Sequence, residues 1–429
     1  MDFAKAIREI EKAEKIAIVS HYDCDGLCSA KILSTALERK SKEIEIKIVK
    51  EISDKIAEEI ETLEKDLIIL SDIGSGYLSM LPKEKKIIVL DHHTPKSKPS
   101  SNVIHINPIA EGKELCGSGI CYLLASKLSN NEDLIDYAIV GAIGDNQLNI
   151  GENLKIKEEA VRLGRLKIEK GLKIFGHINR PLHESLRTSK IFPSEDHSQI
   201  VQFLSEIGIN LVDNGKIKSY YDLTKEEKEK LCLEIIKERL RNDLDEPANI
   251  FSEIYILTKQ PRELMDALEF STILNAFGRL ERFEEAFELM NGNLEKLEEI
   301  AREYRKKLAT YLSFVVENMD SFPQSKDVLF INAKEKIDEN MIGTVTSIAI
   351  NSLTNKKIVL GLAHSGDMVK ISARSKMEEI DLNEIVSEIC EKFGGAGGGH
   401  KEAAGGKIKK GMEEEFIKCF SEYIEQSKS

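Results

Sequence analysis

The sequence predicts an α/β protein: an N-terminal, mostly parallel sheet with helices, a helical middle region, and a smaller C-terminal α/β domain. Three observations carry that expectation. Short apolar runs recur through roughly the first 150 residues, each bounded by polar turns and separated by helix-like segments. From about residue 151 that pattern fades into long charged, amphipathic stretches, and it returns after residue 326. Alternation of strand and helix implies βαβ units, and their continuous apolar runs are what strands buried on both faces look like.

The runs are Lys15–Ser20, Asp66–Leu70, Ile87–Leu90 and Tyr137–Val140, each read as a strand. Helices are expected near 2–14, 26–40, 53–64, 117–128 and 131–138. A polar loop containing Pro95 and Ser101 follows the third run. Amphipathic helices are expected over 224–242, 260–290 and 293–319, the last stopping at Ser321–Gln324, where Pro323 marks a boundary. Beyond it, 328–331, 357–362 and 369–373 read as strands, and 337–353 and 382–392 as helices. The expected domains are therefore 1–190, 191–322 and 323–429.

A chain of 429 residues with 41% hydrophobic content can bury several cores. No segment is long and apolar enough to span a membrane, and the N-terminus reads as an amphipathic helix, not a signal peptide. A cytoplasmic location with no membrane partner is expected. Seven cysteines, with no CxxC pair, read as reduced thiols. The net charge of −13 does not advertise nucleic-acid binding, yet 155–190 holds ten Lys/Arg against four Glu, a local basic excess.

Each N-terminal run leads into acidic or histidine residues. The first precedes His21, Asp23 and Asp25, the second Asp72, the third Asp91, His92 and His93, and the fourth Asp145. In open α/β sheets, ligands bind outside the carboxyl ends of the strands. Residues scattered over more than a hundred positions can then converge on one sheet edge. Four carboxylates gathered with imidazoles there would repel one another and desolvate badly, and divalent metal is the usual remedy. That many ligands suit two ions better than one. Mixed His and carboxylate ligation favours manganese, with magnesium possible. Cys24 lies inside the first cluster, but a soft thiolate does not match its hard neighbours. Asp91 can orient an imidazole, and one of the two histidines beside it is free to meet a phosphate. Near the other end, Gly394–Gly406 offers backbone N–H groups to an anion, with His400 beside it, and Arg374 ends a strand as a phosphate clamp.

These motifs, in this order, resemble the DHH phosphoesterase superfamily: His-x-Asp-x-Asp-Gly, Asp, Asp-His-His, Gly-x-x-Gly-Asp, then Gly-Gly-Gly-His at the end, which is similar to its DHHA1 domain. Leu274–Arg279 resembles the Asn-Ala-x-Gly-Arg segment of RecJ-type single-strand exonucleases, although Ile273 and Leu274 stand where bacterial members carry Pro-Arg. The long middle region resembles the archaeal RecJ-like branch. The resemblance implies one ion on His21, Asp23 and Asp72, and a second on Asp25, Asp72, His92 and Asp145. It implies a catalytic set of His93, Asp72 and Asp91, with His93 facing the scissile phosphate. Substrate binding would fall to Arg374, His400, Gly397, Gly398 and Gly399 from the second domain, with Asn275 and Arg279 on the nucleic-acid backbone.

The expected activity is a manganese-dependent exonuclease on single-stranded DNA or RNA, with replication or RNA-decay proteins as possible partners. Two other readings stay open: a phosphodiesterase or phosphatase for oligoribonucleotides, cyclic dinucleotides or nucleotides, and a non-catalytic replisome scaffold. The intact acidic set argues against the scaffold, and the long middle region argues against a minimal phosphatase.

Overall fold

A computed structural model describes residues 1–213 and 215–426, which divide into two units, Met1–Lys296 and Leu297–Ser429. The first unit starts with α1 (Ala4–Lys12), β1 (Lys15–His21), α2 (Cys24–Glu38), β2 (Glu43–Val49), α3 (Asp54–Thr62), β3 (Leu67–Ser71), β4 (Ile87–Leu90) and β5 (Val103–Ile106). The five strands form one parallel sheet in the order β2-β1-β3-β4-β5. Residues of β1, β3 and β4 are buried on both faces, as continuous apolar runs require. One face packs Ala17, Val19, Ile68, Leu70, Ile87 and Val89 into a common core.

The edge strands β2 and β5 carry no continuous apolar run. Glu43–Val49 alternates charged and apolar residues because only one of its faces is covered. The strand expected at 137–140 is absent. Those residues lie in α5 (Ile135–Gly144), which follows α4 (Gly117–Leu128) and precedes α6 (Asn153–Arg162). Nearly every residue of α5 is buried, against α2 and α4, so the apolar pattern that marks a helical face is lost and the run reads like a core strand.

The middle of the chain is mostly helical, framed by a ribbon that periodicity did not reveal. Strand β6 (Leu166–Leu172) is followed by α7 (Leu182–Ser189), α8 (His197–Glu206), the short β7 (Val212–Asp213) and β8 (Lys216–Ile217), α9 (Lys225–Arg241) and β9 (Phe251–Leu257). β6 and β9 pair antiparallel, from Leu166 opposite Leu257 to Leu172 opposite Phe251. The intervening residues have a core of their own, including Leu182, Leu186, Ile200, Leu204, Leu231 and Ile235.

The chain then returns to the first sheet's helices through α10 (Ala267–Arg279) and α11 (Phe283–Met290). Phe270 is fully buried and meets Tyr137 edge-on, with ring centroids 6.5 Å apart. The Tyr137 hydroxyl donates to the Met290 carbonyl at 2.6 Å. Near the end of α10, Gly278 packs onto the turn between β1 and α2. A Cβ at that position would lie 2.0 Å from the Tyr22 carbonyl oxygen, closer than any side chain allows.

The second unit comprises α12 (Leu297–Glu317), β10 (Val328–Lys334), α13 (Glu339–Ile348), β11 (Ile358–Ser365), β12 (Met368–Ser375), α14 (Leu382–Lys392), β13 (Ala396–Gly399), β14 (Ala403–Lys409) and α15 (Glu413–Gln426). Its sheet runs β10-β11-β12-β14-β13, parallel only between β10 and β11. Phe330, Leu360, Ile371, Val386, Phe416 and Phe420 lie in its core.

Two outcomes follow from α10. Replacing Gly278→Ala should destabilise the protein by about 1–3 kcal/mol, since α10 would be forced off the Tyr22 turn; chemical denaturation measures it. Glu269, buried on the same helix, is pushed up to about 7 from 4.5, by burial first and then by Asp266. Between those values the folded chain holds a proton that the unfolded chain has released, so stability falls as pH rises through the window. Glu269→Gln should flatten that fall and add up to about 3 kcal/mol above it, read from denaturation midpoints at about pH 5 and about pH 8.

Candidate metal centre

The parallel register places the ends of β1, β3 and β4 side by side, with Ser20 opposite Ser71 and Ser71 opposite Leu90. The Ser20 and Ser71 hydroxyls lie 2.8 Å apart, and the Ser20 hydroxyl also contacts the carbonyls of Gly26 (2.7 Å) and Ser71 (3.0 Å). This knot fixes the point where the chain leaves β1 at His21 and β3 at Asp72. Asp72 has a left-handed backbone, φ 56°, which Asp tolerates better than most residues but which still costs energy. Such a conformation at a strand end re-aims the side chain.

Asp72 is buried, and its two oxygens face two different groups. Oδ2 lies 3.6 Å from His21 Nδ1, and that nitrogen is 2.9 Å from Asp23 Oδ2. Oδ1 lies 3.2 Å from His92 Nε2, which is also 3.2 Å from Asp145 Oδ2 and 4.0 Å from Asp25 Oδ2. His21, Asp23 and Asp72 thus form one set with ligand spacing, and Asp25, His92 and Asp145 another. All six residues expected from the sequence as metal ligands come together. Asp145 arrives from the carboxyl end of α5 and not from a strand.

Several of these atoms face one another without hydrogen-bonding. His21 Nδ1, Asp72 Oδ1 and His92 Nε2 are all buried with no hydrogen-bond partner. Buried polar atoms left in this way are costly unless something else satisfies them, and a cation at their common focus would. Burial is the largest influence on His21 and works to neutralise it, but Asp23 and Asp72 outweigh it and raise its pKa well above the usual histidine range. At His92, burial is likewise outweighed by Asp145 and Asp72. Asp25 is pushed up by burial first, then by Asp72 and Asp145. Divalent metal binding fits this donor set of hard carboxylates and imidazoles.

Surrounding groups hold the ligands in place. Asp25 accepts the N–H groups of Gly117 (2.6 Å) and Ser118 (3.0 Å) at the start of α4, where the helix dipole favours an anion. Asp23 caps α2 through Gly26 N–H at 3.1 Å. Gln147 Nε2 lies 3.3 Å from His92 Nδ1, on the far side of the ring from the carboxylates. The Cys24 thiol donates to the Val140 carbonyl and takes no place among the carboxylates. Gly117, Ser118 and Gln147 were missed from sequence. The only signal was a Gly117-Ser-Gly119 helix start, common in helices that bind no metal.

Asp91 is fully buried and directed at the neighbouring histidine. Its Oδ1 lies 2.7 Å from His93 Nδ1 and also accepts the His92 and His93 N–H groups, while Oδ2 accepts Ser75 N–H at 2.7 Å. Burial alone would raise its pKa, but the His93 contact and the other donors hold it well below the usual carboxylate range. His93 itself is about half exposed, at 54%. Asn107 secures this loop, donating to the His93 carbonyl (2.8 Å) and to Ser75 Oγ (2.9 Å).

Asn275 lies on α10 in the same unit, and its side-chain oxygen accepts Cys24 N–H at 3.2 Å. It therefore braces the turn that carries Asp23 and Asp25. Arg279 is the last residue of that helix and is partly buried.

In the second unit, the glycine run expected to offer N–H groups to an anion forms a strand. Gly397, Gly398 and Gly399 belong to β13, opposite Gly406, Gly405 and Ala404. A Cβ on Gly397 would come within 2.8 Å of the Val386 carbonyl, so the bare strand lets α14 pack directly on it. β13 is the outermost strand, and His400 occupies the exposed turn that follows, with its N–H donating to Ala403 at 2.9 Å. Arg374, near the end of β12, donates from Nε to Ser347 Oγ (2.9 Å) and from Nη1 to the Ala373 carbonyl (2.8 Å).

Comparison with known proteins agrees with this architecture. The N-terminal domain of the DHH family matches residues 15–144, and the DHHA1 domain matches residues 325–426. An uncharacterised protein of Methanocaldococcus jannaschii is 30% identical, with 99% of this chain and 98% of that one aligned. The single-stranded-DNA-specific exonuclease RecJ of Bacillus subtilis is 27% identical over 188 residues, 39% of this chain and 24% of its own. RecJ of Thermus thermophilus, solved in complex with Mn²⁺, superposes with a TM-score of 0.61 at 20% identity, covering 98% of this chain. This chain spans about half, 54%, of that protein. CDC45 of Entamoeba histolytica superposes with a TM-score of 0.63 at 12% identity over 98% of both chains, a likeness of fold alone. The chain belongs to the DHH/DHHA1 superfamily, in its RecJ-like group.

Proposed function

We propose that the protein is a manganese-dependent phosphodiesterase that degrades single-stranded nucleic acid as an exonuclease. The observation that carries this reading is Asp72, which presents one oxygen to the His21 set and the other to the His92 set. A shared carboxylate of this kind suits a pair of divalent ions. Such ions, when bound, acidify an attacking water and neutralise the phosphate.

The remaining roles fall to the chain's own groups. His93, with Nδ1 engaged by Asp91, has Nε2 to offer a phosphate oxygen, and the buried carboxylate favours its charged form. His93, Asp72 and Asp91 make up the proposed catalytic set. His21, Asp23, Asp25, Asp72, His92 and Asp145 are the proposed ligands. Arg374, His400 and the Gly397–Gly399 strand are proposed to grip the phosphate chain, since they combine a guanidinium, an exposed imidazole and a sheet edge. Asn275 acts by positioning the β1–α2 turn, and Arg279 at the same helix end is proposed to meet the nucleic-acid backbone. Likeness to RecJ supports a polynucleotide as substrate over a mononucleotide. The domain limits proposed for these roles are 1–190, 191–322 and 323–429. No described helix is long and apolar enough to cross a membrane.

Chelation should abolish activity, and Mn²⁺ should restore it best. Asp72→Ala should eliminate turnover and lower the bound Mn²⁺, with circular dichroism unchanged; full activity would refute a shared ligand. His93→Ala should slow turnover by about two orders of magnitude while metal content stays constant; parallel loss of metal would make His93 a ligand instead. Arg374→Ala and His400→Ala should raise KM on a long strand by roughly 10- to 150-fold, more at low salt than at high, where the lost phosphate contact is already screened. Preference for a dinucleotide over a long strand, at every salt concentration tested, would replace the exonuclease by an oligonucleotide phosphodiesterase.

A further inference from the structure

A second group with metal-ligand geometry lies outside the acidic centre, where α7 and α8 pack together. Their apolar faces bury Leu182, Leu186, Ile200 and Leu204 in the core of the middle region. Beside that packing, His183, Glu184 and His197 each offer one ligand atom, all within 4.8 Å of one another. The two imidazole rings meet edge to face, with centroids 4.9 Å apart and planes at 89°.

Three details separate this group from an accidental surface cluster. His183 is largely buried, with 12% of its side chain exposed, so water poorly serves the Nε2 that faces Glu184 Oε1. Glu184 is divided in use: Arg187 grips Oε2 with Nε (3.1 Å) and Nη2 (2.8 Å), while Oε1 faces His183 Nε2 at 3.9 Å. A carboxylate fixed by an outer partner while its other oxygen turns inward is the usual state of a ligating carboxylate. Burial first, and the neighbouring His197 second, also keep the His183 imidazole on the neutral side, the form that binds metal.

We propose that His183, Glu184 and His197 form a metal site of the zinc class, separate from the acidic centre, that clips α7 to α8 across the 190–196 connection. Two imidazoles and one carboxylate suit Zn²⁺ better than the oxygen-seeking Mg²⁺ or Mn²⁺, with water completing the tetrahedron. Both helices present their positive ends here, which opposes a cation. Glu184 and the Asp196 cap of α8 offset that field. Within the protein the two centres would then differ in metal: hard carboxylates dominate one and imidazole nitrogens the other.

The test is equilibrium dialysis of the full chain against Zn²⁺, with bound metal counted in the wild type, in His197→Ala and in His183→Gln. His197 is exposed, so its replacement leaves the fold intact. The wild type should bind one equivalent more than either variant, and zinc should raise its melting temperature more than theirs. Both variants should keep the wild-type Mn²⁺ affinity, which reports on the acidic centre alone. Equal zinc counts in the wild type and His197→Ala would overturn the site, as would loss of Mn²⁺ binding alongside zinc.

Discussion

Asp25 and Asp72 are almost wholly removed from water, and Asp23 and Asp145 lie beside them. Burial first, and then the like charges of Asp72 and Asp145, raise the cost of ionising Asp25. The fold answers with fixed dipoles and imidazoles. The start of α4 aims two N–H groups at Asp25, His92 stands among Asp25, Asp72 and Asp145, and His21 stands between Asp23 and Asp72. Those devices leave buried ligand atoms unsatisfied, so the compensation is incomplete without a cation. Much of the first unit follows from the need to bring these side chains to one sheet edge. Parallel pairing aligns the strand ends, and α5 supplies the last carboxylate from outside the sheet.

Helix α10 explains why a segment remote in sequence matters to that edge. Asp266 caps its start, accepting the Leu268 and Glu269 N–H groups. Phe270 and Leu274 bury its apolar face, and at the far end Asn275 and Gly278 press on residues 22–24. The turn they brace carries Asp23 and Asp25. A polar side chain and a glycine at the spacing of i and i+3 project on the same side of a helix. The Asn-Ala-Phe-Gly-Arg segment therefore has a structural reason to exist before any nucleic acid is considered.

How much of this was readable depended on whether local pattern and tertiary role agreed. The runs Lys15–Ser20, Asp66–Leu70 and Ile87–Leu90 are central strands, so their burial on both faces writes itself as uninterrupted apolar sequence. The clusters after them were legible for the same reason: strand ends of a parallel sheet converge. Glu43–Val49 carries the period-two alternation of a half-covered strand, a signal that uninterrupted apolar runs alone pass over. Tyr137–Val140 misled because a helix enclosed on every side has no polar stripe. The β6–β9 ribbon was hidden by distance, since residues 166–172 pair with residues 251–257, far away in sequence. The glycine run gave no sign of its packing role: bare residues let α14 lie directly on β13, and that contact depends on residues distant in sequence.

The adjacent histidines His92 and His93 show how one carboxylate can assign two roles. Successive residues leaving a strand project to opposite sides, so identical side chains meet different surroundings. His92 is turned inward, with Nε2 among three carboxylates and Nδ1 beside Gln147. His93 is turned outward, with Nδ1 fixed by Asp91 and about half its surface in water. Asp91 also accepts the backbone N–H groups of both histidines, so it sets the path of the chain as well as the orientation of one ring. Ser75 and Asn107 then hold Asp91 and the His93 carbonyl from the β3 and β5 sides of the sheet. An inward imidazole with ligand geometry beside an outward one facing solvent thus follows from the alternation of the chain and from the single carboxylate that fixes the outward ring.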